Sequence, residues 1–327
     1  MAIKKHYIRG RKGIFFTFAA IALSLIIIFS FKVYTDYGQK DEMESIEIRI
    51  KTMDNFLKSM ENDIGNVIFI VGFRSLLSLE DYMMRHGTFL NVDVYPSLDT
   101  AFKEAFINGA IPRGITEDKM VLMKNNTFLN WTNMMKSQAN KTGITLGFTI
   151  NDVTISQSEP WQVDVSVDLT ISVQDKKSTA SWTISKVFTQ KINITGFVDP
   201  LYLVNNNGKV NNTIRKTTVP DFSTEQNLDT HLINSYYIEH SDAPSYLMRF
   251  ENNLGSSPYG IESLVNSKKL KDEKIKDNDK SAVDYIYFGT QTPEDCQVDK
   301  PSYNWFKLDK VPHLAFYNAN CKQGGKK

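Results

Sequence analysis

Three kinds of hydrophobic pattern follow one another along the chain. From Ile14 to Phe31 the residues run apolar with no charge among them. From Met43 the apolar residues fall at a 4-3 spacing: Met43, Ile46, Ile50, Met53, Leu57, Met60, Ile64, Val67 and Val71, with polar residues mostly between them. That spacing predicts an amphipathic helix reaching about Arg85. It suits either a self-associating seam or a helix lying on its own core, and the greasy VIFIVGF stretch after Ile64 favours the core. From Gly143 the period changes to two.

Between the long helix and the strands the pattern predicts two shorter helices. One starts at Ser97-Leu98-Asp99, presents Phe102 and Ala105-Phe106 on one face, and stops at Asn108-Gly109. The other is capped by Thr116 and runs to about Asn140, with Met120, Met123, Phe128, Trp131, Met134 and Met135 as its apolar positions. The strands are plainer. Ile144 to Ile150 alternate, Asn151-Asp152 shifts the phase as a bulge would, and Val153 and Ile155 continue. Trp161 to Val173 places seven apolar residues at period two against a polar face. Ala180 to Ile194 repeats the pattern after an Asp175–Ser178 turn. These three runs predict an antiparallel meander.

Beyond Gly196 the signals weaken. Asn205-Asn206-Asn207-Gly208 suggests a hairpin joining 201–204 to 210–214. The sequence further suggests a short strand at Tyr246–Phe250, a helix or turn at Ile261–Val265, an exposed charged loop at Lys268–Ser281, and a doubly buried strand at Val283–Phe288. Helices first and strands after give an α+β fold. An N-terminal transmembrane helix and a long amphipathic helix precede further helices packed on the meander, and a mixed C-terminal segment follows. The expected divisions are a basic leader at 1–13, a membrane helix at 14–34, a helical region at 35–142, the meander at 143–215 and the C-terminal segment at 216–327.

Charge gives the apolar run a direction. At about 1.5 Å per residue its helix covers roughly 27 Å, close to the hydrocarbon thickness of a bilayer. Its twelve Ile, Leu and Phe side chains favour insertion by roughly 4–7 kcal/mol. Lys4, Lys5, Arg9, Arg11 and Lys12 precede the run, whereas Asp36, Asp41, Glu42 and Glu44 follow it. The positive-inside rule then leaves the N-terminus cytoplasmic and the rest of the chain outside. A cleaved secretory signal is the alternative, but the run is long for one, and its small-x-small triplet Ala20-Ile21-Ala22 lies mid-run.

Arg11-Lys12-Gly13 directly before Ile14-Phe15-Phe16-Thr17 resembles the processing site of type IV pilin-like proteins, the class III signal peptide common in archaea. The resemblance covers about twenty residues and implies cleavage between Gly13 and Ile14 by a prepilin-type peptidase. The fifth residue after that cut is Phe18, where the bacterial pattern has Glu. A plain signal anchor is the alternative. The order of long helix then antiparallel sheet is also that of pilins, an analogy of fold alone.

The whole chain carries 38 basic and 37 acidic residues, so charge indicates no nucleic-acid partner. The two cysteines, Cys296 and Cys321, are expected to pair outside a membrane, with two free thiols as the alternative. Five N-x-[ST] sequons, at Asn125, Asn130, Asn140, Asn193 and Asn211, fall in the region placed outside.

Sequence motifs supply no catalytic, cofactor-binding or metal assignment. The four histidines after the membrane run form no H-E-x-x-H or H-x-H. His231 and His240 with Glu239 and Asp242 make the one local cluster, with solvated loop residues as the default reading. Asp277, Asp279, Ser281 and Asp284 loosely resemble calcium-loop spacing but lack its Gly and Glu. Asp164 and Asp168 suit a solvated strand face.

The reading that results is a single-pass, glycosylated surface protein of pilin-like or adhesin-like type. Its partners would be the lipid bilayer, the peptidase and further copies joined through the 43–71 helix. The alternative is an anchored enzyme or ligand-binding module, its site to be sought at Asp221–Ser267. A cytoplasmic part of about a dozen residues is too short to carry a sensor's output domain.

Overall fold

The computed structural model describes residues 11–113, 116–176, 180–299 and 303–322, and side chains at 11–20, 30–42, 45, 113 and 116–118 lie outside this description. The chain divides into two units, Met1–Glu61 with Lys177–Ala180, and Asn62–Lys176 with Ser181–Lys327.

Helix α1 (Arg11–His86) runs without a break for 76 residues. In its first unit the side chains from Ile21 to Phe29 are exposed, as are Met43, Ile46 and Ile50, whereas Met53, Leu57 and Met60 are buried. Among the described residues no helix is long and apolar enough to cross a membrane. Only 21–29 of the 14–31 run have described side chains.

In the second unit α1 buries Ile64, Ile68, Val71, Leu76, Leu79, Tyr82 and Met83. The predicted stripe continues, except that Ile68 replaces Val67 as the inward residue. At Gly72 a Cβ would lie 2.9 Å from Ile192 and 3.2 Å from Val165, so this glycine lets the helix backbone sit directly on the sheet.

Helix α2 (Leu98–Asn108) begins at Ser97, whose hydroxyl accepts from the Thr100 amide, and ends on Gly109 in the left-handed conformation. The helix expected from Thr116 does not start there. Strands β1 (Ala110–Arg113) and β2 (Thr116–Lys119) pair antiparallel instead, and a single 3₁₀ turn spans Val121–Met123. Helix α3 (Phe128–Lys141) starts after a capping box between Thr127 and Asn130. Thr116 misled because Thr127 offers the same cap with the apolar period directly behind it.

The meander is as the alternation predicts. Strands β3 (Ile144–Glu159), β4 (Gln162–Asp175) and β5 (Ser181–Asn193) pair antiparallel in that order, with a register shift between Ile150 and Asp152. Val163, Val165, Val167, Leu169, Ile171 and Val173 are all buried. On the other face Ser166 bonds Thr189 and Thr170 bonds Ser185 across strands, at 2.8 and 2.9 Å.

The C-terminal half departs from the pattern-based reading. Asp199 caps α4 (Pro200–Asn205), with Pro200 in the first turn, where a hairpin strand was expected. Helix α5 (Glu225–Asn234) precedes β6 (Tyr237–Glu239), which pairs with β7 (Ile261–Ser263). Tyr246–Arg249 is a helical turn, α6, and not a strand. Ile261–Ser263 is a strand and not a helix. Helix α7 (Ser267–Asp272) stands where the charge run suggested a loop, with Leu270 buried. Val283 to Tyr287 are buried as expected and Phe288 is half-buried, but through the turn α8 (Asp284–Tyr287). Strands β8 (Asp295–Gln297) and β9 (Lys307–Asp309) pair, and α9 (His313–Phe316) follows. The Cys296–Cys321 disulfide is formed and closes this segment.

Candidate functional site

Two buried polar groupings lie side by side in the C-terminal half. The first centres on Arg249, which is fully buried. Its Nη1 donates to Asp199 at 2.6 Å and Asp284 at 2.8 Å, its Nη2 donates to the Ile261 carbonyl, and its guanidinium lies over the Tyr237 ring. Asp199 also accepts from the Tyr237 hydroxyl and the Leu201 amide. Asp284 accepts from the Ser263 amide and hydroxyl. Burial works against the guanidinium's charge, but the two carboxylates outweigh it and keep Arg249 charged. Burial lifts the Asp284 carboxyl to about 6 even with Arg249 beside it. Both carboxylates and both terminal nitrogens of the guanidinium are already bonded to the protein, with Arg249 Nε buried and unbonded, so this grouping suits a scaffold better than a reactive centre.

The second grouping is His240, Glu262 and His313. His240 follows β6, Glu262 is the middle residue of β7, and His313 opens α9. The loop from His240 to Gly260 folds back on itself: the His240 amide donates to the Gly260 carbonyl, and a Cβ on Gly260 would come within 2.3 Å of the His240 carbonyl oxygen. Glycine is therefore required there, and it brings β6 and β7 together so that His240 faces Glu262.

Glu262 is completely buried. Its Oε1 accepts from the Tyr317 hydroxyl at 2.7 Å. Its Oε2 lies 3.1 Å from His313 Nε2 and 3.4 Å from His240 Nδ1. The other nitrogen of His313, Nδ1, contacts both carboxylate oxygens of Asp309, the nearer at 2.7 Å. Burial disfavours charge on His313, but the hydrogen bonds to Asp309 and Glu262 prevail and raise it to about 10. The Tyr285 hydroxyl stands 3.3 Å from His313 Nε2, and the His240 ring packs edge-on to Phe316. His240 Nδ1 is buried and makes no hydrogen bond. One nitrogen from each histidine and one oxygen from Glu262 lie within 4.8 Å of one another.

The local cluster noted in the sequence is not assembled. His231 is fully buried apart from it; its Nδ1 faces Thr217, and burial pushes its pKa down to about 3. Glu239 is exposed and pairs with Trp161 and Lys216. Asp242 is exposed. The solvated-loop default fails for both histidines, because each side chain turns into aromatic surroundings.

The calcium-like oxygens also go separate ways, Asp277 to Lys271, Asp279 to Lys307, Ser281 to Asp309 and Asp284 to Arg249. Asp168 sits on the wet face as expected, bonded by Asn151, but Asp164 is buried and takes the Ser158 hydroxyl. Gly13 and Ile14 fall within α1 among residues whose side chains are outside the description.

All five sequon asparagines are exposed. Asn125 and Asn130 border a cleft of about 630 Å³ beside Gly109, Met120 and Met123, and among the described residues no carboxylate or histidine lines it. Glu262 and His313 were invisible to local spacing because 22 and 73 residues separate them from His240. The Asp309–His313 pair, four residues apart, was the one local trace. Comparison with protein-family models, curated proteins and solved structures finds no match.

Proposed function

We propose that this chain is a single-pass, membrane-anchored surface protein of pilin-like or adhesin-like type. In this reading its N-terminus is cytoplasmic and its second unit lies outside. The observation that carries the reading is the contrast along α1. Ile21, Leu23, Leu25, Ile26, Ile27, Ile28 and Phe29 are all exposed, whereas thirty residues later the same helix buries its apolar stripe. Seven large apolar side chains around one stretch of helix need a non-aqueous surrounding, and the basic residues before them and acidic residues after them set the orientation. Five exposed sequons agree with an outward-facing second unit. Self-association along the 43–71 helix would use the apolar residues left uncovered in the first unit, Met43, Ile46, Ile48 and Ile50.

The test is intact-mass and N-terminal peptide analysis of protein taken from its native membrane. A mature N-terminus at Ile14 is expected, from cleavage after Gly13 by a prepilin-type peptidase. An N-terminus at Met1 or Ala2 would remove the pilin-like part and leave a plain signal anchor. A mature chain starting beyond Phe31 would remove the anchor itself. The second reading, an anchored ligand-binding module, is favoured by the convergence of His240, Glu262 and His313.

A further inference from the structure

The geometry points to a divalent metal site made by His240 Nδ1, Glu262 Oε2 and His313 Nε2, with a borderline first-row ion of the zinc class as its ligand. The inference rests on the cluster alone and holds whether or not the chain is anchored. An ion with bonds of about 2.1 Å and tetrahedral angles separates its ligand atoms by roughly 3.4 Å. Two of the three separations here are 3.4 and 3.1 Å, and all lie within 4.8 Å.

The chemistry of the set is selective. Two imidazole nitrogens and one carboxylate suit zinc, cobalt or nickel, whereas calcium and magnesium require oxygen. The surrounding groups are those that orient metal ligands. Asp309 holds His313 Nδ1 and turns Nε2 toward the centre, where the ion would take the place of the proton shared with Glu262, and Tyr317 occupies the far oxygen of Glu262, leaving Oε2 to face both histidines. The independent sign is His240. Its side chain is nine-tenths buried, and its inward nitrogen has no hydrogen-bond partner although Glu262 stands 3.4 Å away. A buried nitrogen left in that condition is costly, and an ion between it and Glu262 would satisfy it. The ion would join β6, β7 and α9, which hydrophobic alternation does not align.

The experiment uses the full chain in detergent, stripped of metal with a chelator and titrated with Co²⁺ and then Zn²⁺. One Co²⁺ per chain is expected, with the intense visible absorption of a tetrahedral ion, displaced by one Zn²⁺. His240→Phe keeps the ring against Phe316 and removes the nitrogen; it should lose the cobalt spectrum and weaken binding at least tenfold. Asp309→Asn, a change in a positioning residue, should weaken it about 10–100-fold. Stripped wild-type protein that keeps its native circular dichroism but binds no stoichiometric Co²⁺ would overturn the site. It would leave Asp309, His313 and Glu262 as an internal ion-pair chain. Tetrahedral cobalt retained at wild-type affinity by His240→Phe would overturn it equally.

Discussion

The β3–β5 sheet and the segment from Asp199 to Asn320 belong to one unit yet are organised differently. In the sheet, apolar and polar residues alternate for more than a dozen positions, and the dry face follows from that alternation alone. In the later segment the longest element is the ten-residue α5, and short pieces converge on buried charge. Asp199, Tyr237, Arg249, Ser263 and Asp284 come from five separate places in the chain and meet in one hydrogen-bonded cluster. The sheet is therefore specified by period, and the segment by partners. A network of this kind fixes one arrangement only while each member is satisfied.

The largest effect should come from breaking that partnership. Arg249→Met leaves Asp199 and Asp284 buried without their cation and is expected to cost about 3–5 kcal/mol, read by urea unfolding. A cost below about 1 kcal/mol would mean that the segment is held by apolar contacts after all. Removing the disulfide with Cys296→Ser and Cys321→Ser together should cost about 3 kcal/mol by chain entropy. The loss should fall on the C-terminal segment, seen as faster amide exchange at Val298 and Leu308 than at Val165 and Leu169.

Glu80 joins the long helix to the later segment, and it supplies a pH test. Its Oε1 accepts from the Tyr246 hydroxyl at 2.9 Å and the Val198 amide at 3.0 Å. Burial, opposed by these bonds, raises its carboxyl from 4.5 to about 8. The folded state thus holds a proton that the unfolded state releases between those values. Stability present below pH 4.5 is lost as pH rises toward 8, at about 1.4 kcal/mol per pH unit from this group. Glu80→Gln keeps both accepted bonds and should remove that slope, measured as urea midpoints at pH 5, 6, 7 and 8. An unchanged slope would place the titration elsewhere. The smallest effect belongs to the sheet's wet face: Thr189→Ala removes the bond to Ser166 and should cost about 0.2–1 kcal/mol. A larger loss would show that the sheet too depends on its polar pairs.

The same contrast explains what the sequence makes legible. The meander, its bulge at Asn151, the long helix and the Ser97 and Gly109 caps can each be read from local pattern, because each is decided by near neighbours; the disulfide is legible because the chain has only two cysteines to pair. Tyr246–Arg249 and Asp284–Tyr287 look like strands because they are apolar and short. Their helical turns are set by what Arg249 and Asp284 reach in space. The candidate site is less legible still. His240 could be noticed, but Glu262 and His313 come to it through the β6–β7 pairing and the β9–α9 junction, contacts that no spacing rule contains.

The central claim, a chain anchored at its N-terminus with its second unit outside, is tested most directly by protease treatment of intact cells followed by sodium carbonate extraction of their membranes. The account predicts that external protease releases fragments carrying Cys296 and Cys321. It also predicts that untreated protein stays in the carbonate-resistant pellet. Complete protection from protease until the cells are lysed, or release of the intact chain by carbonate, would contradict it.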